Sequence, residues 1–196
     1  MEIPNQPTAE EKQEAAVQLL QEGFQRSADF LNSYLTQPEH VAVIIAASKM
    51  DELLTYAIRQ RLRPCPSKSD DLLDSERGIG TFSNKIMFAH RLGVICPNMA
   101  RALHLFRKIR NDFAHAHEGQ SLSSPPHRDR VDELNAKLDL MPGLVNLRKQ
   151  LSAAGQPTVK KVSFIVAATL VITRLESIKP LLKPVDDELA NYAKFP

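Results

Sequence analysis

Apolar residues recur every three or four positions over most of this 196-residue chain, and this spacing constrains its fold more than any other feature. The period matches the α-helix and differs from the two-residue period of a half-buried strand. Proline or glycine stands at most ends of the periodic segments, where helices begin or stop. The pattern therefore predicts an all-α protein.

The periodic segments predict about four main helices and several shorter ones, joined as an up-and-down bundle. Thr8 is the expected cap of the first helix. The last segment is rich in β-branched residues, which leaves a strand as the alternative there, although its length favours a helix. Segment 39–62 is apolar over more than half of its circumference, so we expect it to be the most buried element. The predicted helices span 8–37, 39–62, 83–92, 97–117, 128–140, 144–151 and 159–179.

The segments between the helices are compatible with one domain over residues 1–196. Leu72 and Leu73 are the apolar pair of the longest loop, and we expect them to pack onto the bundle. Thr81 or Ser83 is expected to cap the helix that follows this loop, and Pro142-Gly143 predicts a turn. The predicted connections are a loose leader at 1–7, a long loop at 63–80, a polar linker at 118–127 and a tail at 180–196.

Composition excludes several classes of protein. A net charge of +2 does not by itself indicate nucleic-acid binding, which would depend on a local patch. Cys65 and Cys96 match no metal-ligand spacing, and we expect them to be reduced thiols. The longest apolar run, residues 41–47, is too short to cross a bilayer, and the first residues contain no apolar signal segment. We therefore predict a cytoplasmic protein with no membrane segment, no metal and no cofactor.

Residues 107–117 are the stretch where basic, amide, acidic and imidazole groups crowd together. On a helix, Phe106, Ile109 and Phe113 fall on the core side, in line with Met99 and Ala102. A different set falls in a sector of about 140° on the other side, since successive residues are about 100° apart. That set is Arg107, Arg110, Asn111, Ala114 and His115.

The chemistry of this sector suits a phosphate group. An arginine side chain can hold a phosphate in a fork, and a histidine can transfer a proton near neutral pH. Ala114 is small and leaves room above the backbone, whereas Lys108, Asp112 and His117 are expected to be bystanders. We therefore take Arg107, Arg110 and Asn111 as candidate phosphate-binding residues.

Three other interpretations compete with a phosphate site. Cations near the end of a helix also complement the helix dipole, and this structural explanation remains open. A metal site built from His115 and His117 with His104 or Asp112 is disfavoured, because residues two apart on a helix point to different faces. A helix-turn-helix over 82–107 would offer only Asn98 and Arg101 to base edges, so the sequence does not favour direct sequence-specific DNA binding.

The run Arg110-Asn111-Asp112-Phe113-Ala114-His115 resembles the signature of the HEPN superfamily, in which an arginine precedes a histidine near the end of a bundle helix. Many HEPN domains are dimeric, metal-independent ribonucleases that use the 2′-hydroxyl of the RNA itself, whereas others bind nucleotides or partners. The resemblance implies that Arg110 would stabilise the negative charge of the transition state. It also implies that His115 would act as acid and base, with Asn111 in support.

A longer segment, about residues 40–117, resembles the mannitol operon repressor (MltR-like) family. It rests on the segments 71–74, 80–86 and 89–95 and on the arginine, asparagine and histidine positions of 107–115. Members of that family are small helical proteins described as transcriptional regulators without an established DNA-binding motif. The resemblance implies an HEPN-like bundle and a regulatory protein, with a metal-independent endoribonuclease as the alternative. It also implies a homodimer whose partner is RNA or a regulatory protein.

Overall fold

A computed structural model describes residues 25, 27–65, 71–74, 78–115, 119–138, 142–153 and 158–185. Every regular element within these ranges is a helix, and none of the described residues lies in a strand. The prediction of an all-α protein is therefore confirmed, whereas the HEPN-like arrangement stays a prediction. The leader at 1–7 and the cap at Thr8 lie outside the described residues.

The described helices follow the predicted segments closely. Residues 27–35 belong to the first helix, α1, which ends before Pro38 as expected. One prediction is wrong: Pro142 and Gly143 form the start of α6 rather than a turn, since proline is tolerated in the first helical turn. The other helices are α2 (Glu39–Arg61), α3 (Phe82–Arg91), α4 (Pro97–His115), α5 (His127–Leu138), α6 (Pro142–Ala153) and α7 (Val159–Ser177), with short 3-10 turns at Asp71–Leu73 and Lys179–Leu181.

Helix α7 lies at the centre of the fold. Residues 161–168 are eight consecutive buried positions, so neighbouring elements cover this part of the helix on every side. Helices α2, α5 and α6 all pack against it. The expectation that 39–62 would be the most buried element is wrong, because α2 leaves Ile45 and Tyr56 exposed on its outer side. The strand alternative for 159–179 is excluded as well.

Helix α4 packs against α2, α3 and α5, and one aromatic contact joins it to α7. The rings of Phe106 and Phe164 meet edge to face, with their centroids 5.1 Å apart. Both side chains are fully buried. Together with the packing of α4 against α2, α3 and α5, this contact sets which side of α4 faces the core, and therefore which side faces solvent.

Local signals at the ends of α3 set the hairpin that leads into α4. Thr81 caps α3 by accepting a hydrogen bond from the Asn84 amide, as the sequence predicts. Gly93 ends α3 with a φ of 70°, a conformation that glycine adopts without steric cost. The amides of Gly93 and Val94 donate to the carbonyls of His90 and Ala89, which is the Schellman pattern.

The connections are held to the bundle more tightly than the sequence predicts. Leu122, in the segment predicted to be a polar linker, is fully buried. The Leu122 amide donates to Glu39 Oε2 over 2.8 Å, and the Thr158 hydroxyl donates to Glu39 Oε1 over 3.1 Å. In the long loop Leu73 is buried as expected, whereas Leu72 is 43% exposed.

Removing the ring of Phe106 is expected to destabilise the protein strongly. Phe106→Ala should lower the free energy of unfolding by about 3–5 kcal/mol, because it deletes buried contacts and leaves a cavity. Met87→Ala is the control, since Met87 is 53% exposed and its truncation should change stability by about 0.5 kcal/mol or less. Urea denaturation followed by circular dichroism measures both values. Equal stability of the two variants would contradict this account of the core.

Candidate nucleic-acid interface

Helix α4 has one face in the core and one face in solvent. Phe106, Ile109 and Phe113 are buried, as the predicted core stripe requires, and Leu103 and Leu105 extend this buried face. Met99 and Ala102, also predicted for the stripe, are only partly buried. The opposite face carries the polar residues that the sequence analysis proposes as a phosphate site.

The structure brings two of the predicted site residues into contact. Arg110 Nη1 donates to Asn111 Oδ1 over 3.1 Å, and both side chains are half-buried. His115 is exposed at the last residue of α4, about 7.5 Å further along the helix axis than Arg110, given about 1.5 Å per residue. Among the described residues no hydrogen bond joins His115 to Arg110 or Asn111. Arg107 is half-buried, and its Nε atom is buried without a hydrogen-bond partner in the described part of the chain.

The carboxylates around α4 are held on the side of α5. Asp112 pairs with Arg130, and Glu133 accepts from Arg101 Nε over 2.6 Å. In contrast, no ion pair among the described residues involves Arg107, Lys108 or Arg110. The solvent face of α4 therefore presents positive charge that no described carboxylate neutralises.

His104 belongs to the same face, although the sequence analysis considers it only as a metal ligand. Partial burial lowers the pKa of His104 below its ordinary value, and the positive charges of Arg107, Lys108 and Arg101 lower it further. The imidazole is therefore neutral at physiological pH, surrounded by cations. Five residues with the spacing i, i+3, i+4, i+7 and i+11 lie in one row on a helix. This spacing, visible in the sequence, could have identified His104 as part of the row. We call these residues the α4 stripe: His104, Arg107, Lys108, Asn111 and His115.

Asp112, expected to be a bystander of the site, has a structural role between α4 and α5. It lies between Arg130 and the buried imidazole of His127, with 3.8 Å between Asp112 Oδ2 and His127 Nδ1. His127 is only 1% exposed, and its Nε2 lies 2.6 Å from Gln120 Oε1. The imidazole also packs against the ring of Phe113. These contacts hold the last turn of α4 against the start of α5. His117 lies outside the described residues.

The structure bears on the competing interpretations of α4. Arg101, one of the two side chains available for base contacts in the helix-turn-helix interpretation, is engaged by Glu133. Within the described ranges, no group of three or more histidine, cysteine, aspartate or glutamate side chains is arranged to hold a metal ion. The described helices also include none that is both long enough and apolar enough to cross a membrane. Cys65 and Cys96 are both exposed, and no disulfide bond joins them.

Comparisons of the chain with protein-family models, with curated proteins and with solved structures find no match.

Protonation of His127 is expected to destabilise the protein in acid. Burial lowers the pKa of His127 and the charge of Arg130 adds to this effect, whereas Asp112 and Glu39 oppose it. Between this lowered pKa and the ordinary value of 6.5, the unfolded chain binds more protons than the folded one. The stabilising contribution is thus complete above pH 6.5 and is lost as the pH falls below it.

The free energy of unfolding, measured by urea denaturation between pH 5 and pH 8, tests this prediction. His127→Gln should flatten the decrease on the acid side, whereas His40→Gln, at an exposed position of α2, should leave the wild-type pH dependence unchanged. An identical acid-side decrease in wild type and His127→Gln would show that other groups cause it.

Proposed function

We propose that this protein is a regulatory protein of the mannitol operon repressor (MltR-like) type that binds RNA through the solvent face of α4. The observation that carries the proposal is the set of cations on that face, Arg107, Lys108 and Arg110, which pair with no carboxylate among the described residues. The proposal thus includes Lys108, which the sequence alone led us to expect as a bystander. The proposal includes a cytoplasmic location and a homodimer, in line with the resemblance to that family.

A phosphate backbone is the ligand that this charge arrangement favours. Binding of cationic side chains to phosphates releases condensed counterions, which makes a cluster of three arginine and lysine residues more effective than isolated ones. The hydrogen bond from Arg110 to Asn111 restricts the guanidinium before any ligand arrives, so less conformational entropy is lost on binding. The described carboxylates next to this face, Asp112 and Glu133, are paired with Arg130 and Arg101 at the contact between α4 and α5.

RNA is favoured over DNA as the ligand because α4 is poorly suited to reading base edges in the DNA major groove. Reading of base edges in the DNA major groove needs a recognition helix that can enter the groove with several donors and acceptors. Arg101 is held by Glu133, and the side of α4 that carries it is packed against α5. Contacts to the backbone and bases of an unpaired strand need no such insertion.

A second candidate function is that of a metal-independent endoribonuclease of the HEPN type. It is favoured by the combination of Arg110, its partner Asn111 and an exposed His115 on one helix end. In this mechanism the 2′-hydroxyl attacks the adjacent phosphorus, the 5′-oxygen leaves, and a 2′,3′-cyclic phosphate remains. His115 would transfer the proton from the 2′-hydroxyl to the leaving 5′-oxygen, and Arg110 would stabilise the charge on the phosphate oxygens.

RNA binding depends on α4 charge if the main proposal is correct. The double variant Arg107→Ala/Arg110→Ala should weaken binding of a fluorescent RNA oligonucleotide at least tenfold in 50 mM salt, measured by fluorescence anisotropy. The matched control is Arg59→Ala/Arg174→Ala, which removes the same charge from exposed positions on α2 and α7. The control should bind within about twofold of wild type, since it leaves the charge of α4 unchanged. Absence of binding by wild type, or equal loss in both double variants, would contradict the proposal.

Incubation of the protein with mixed RNA in EDTA tests the nuclease alternative. Cleavage that leaves 2′,3′-cyclic ends and is lost in both Arg110→Ala and His115→Ala would support it. If wild-type protein gives no cleavage while still binding RNA, the regulatory function without catalysis is retained. Cleavage that persists in His115→Ala would instead indicate a contaminating nuclease or a different site.

A further inference from the structure

We propose that the α4 stripe binds single-stranded RNA that lies along the helix axis, with His104 stacking on a base at one end of the contact. This inference rests on the proposed function and names the class of RNA that the same face accepts. It depends on the length of the stripe, on what borders it and on the character of His104.

The length of the stripe fits a short segment of one strand. From His104 to His115 the helix rises by about 16 Å, at about 1.5 Å per residue. Stacked nucleotides advance by about 3.4 Å each, so this distance corresponds to about five stacked nucleotides, and to fewer when the strand is extended. Arg107 and Lys108 lie within the row, where they can contact successive phosphates.

The border of the stripe disfavours a duplex. Helix α5 lies beside α4, and the carboxylates at this border are Asp112 of α4 and Glu133 of α5. Each is partly exposed and already paired with an arginine, so this side offers no net attraction to a second row of phosphates. A double helix laid on α4 would bring its second strand close to these carboxylates. A single strand can follow α4 without meeting them.

The partial burial and the neutral state of His104 favour contact with a base rather than with a phosphate. His104 is half-buried, so part of its side chain stays accessible to a ligand on the face of α4 that carries Arg107 and Lys108. Its surroundings are cationic, which favours the uncharged ring over a further positive charge. A neutral imidazole flanked by phosphate-binding cations presents a flat face on which an unpaired base can stack.

Fluorescence anisotropy with labelled oligouridylates of three, six and twelve nucleotides, and with a twelve-base-pair RNA duplex, tests the inference. Affinity should rise steeply from three to six nucleotides and only slightly from six to twelve. The duplex should bind at least tenfold more weakly than the six-nucleotide strand. Lys108→Ala should reduce the slope of log affinity against log salt by about 0.7, the value for one phosphate contact of a single strand.

Substitutions of His104 test the proposed base stacking separately. His104→Ala should weaken binding of the six-nucleotide strand at least about fivefold, in keeping with the loss of one stacking contact, without changing the salt slope. His104→Phe keeps a flat ring and should restore affinity, while His40→Ala, outside the stripe, should equal wild type.

The outcomes separate this inference from the proposed function. Equal affinity for duplex and single strand, or wild-type affinity in His104→Ala, would overturn the single-strand inference while RNA binding by α4 stands. Failure of wild type to bind any of the four RNAs would overturn the proposed function, and the inference with it.

Discussion

The edge-to-face contact between Phe106 and Phe164 is the interaction on which the arrangement of α4 depends. Phe106 lies on the face of α4 that packs among α2, α3 and α5, and it reaches the buried central helix α7 through Phe164, so that packing and this contact together hold the core face of α4 in one orientation. The opposite side of a helix is then necessarily in solvent. The position of the α4 stripe is thus a consequence of core packing, although none of its residues belongs to the core.

A second constraint separates the charges around α4. Its carboxylate, Asp112, is turned toward α5, where Arg130 neutralises it beside the buried imidazole of His127. Had Asp112 faced the other way, it would have neutralised part of the stripe. The α4–α5 contact therefore does two things: it holds the last turn of α4 in place, and it leaves Arg107, Lys108 and Arg110 available for a ligand.

The spacing of apolar residues and the residues at helix ends predicted much of the fold, because both act through local interactions. Thr81, Gly93 and Pro97 set the limits of α3 and α4 through short-range steric and hydrogen-bonding preferences. The sequence did not predict that α7, rather than α2, would be the most buried helix, since burial depends on which helix the others surround. Helical geometry also predicted that Arg107, Arg110, Asn111 and His115 would lie away from the core face of α4, and none of the four is buried. The roles of Asp112 and His127 are contacts between helices, 15 residues apart in sequence, which no local pattern encodes.

The most direct test of the account is to locate bound RNA on the protein. A six-nucleotide RNA containing 4-thiouridine can be cross-linked to the protein by light, and the attached peptides can then be identified by mass spectrometry. If the solvent face of α4 binds RNA, the cross-links will concentrate between His104 and His115. Cross-links spread over other helices, or concentrated at the end of the bundle that contains Arg61 and Lys183, would contradict the central claim.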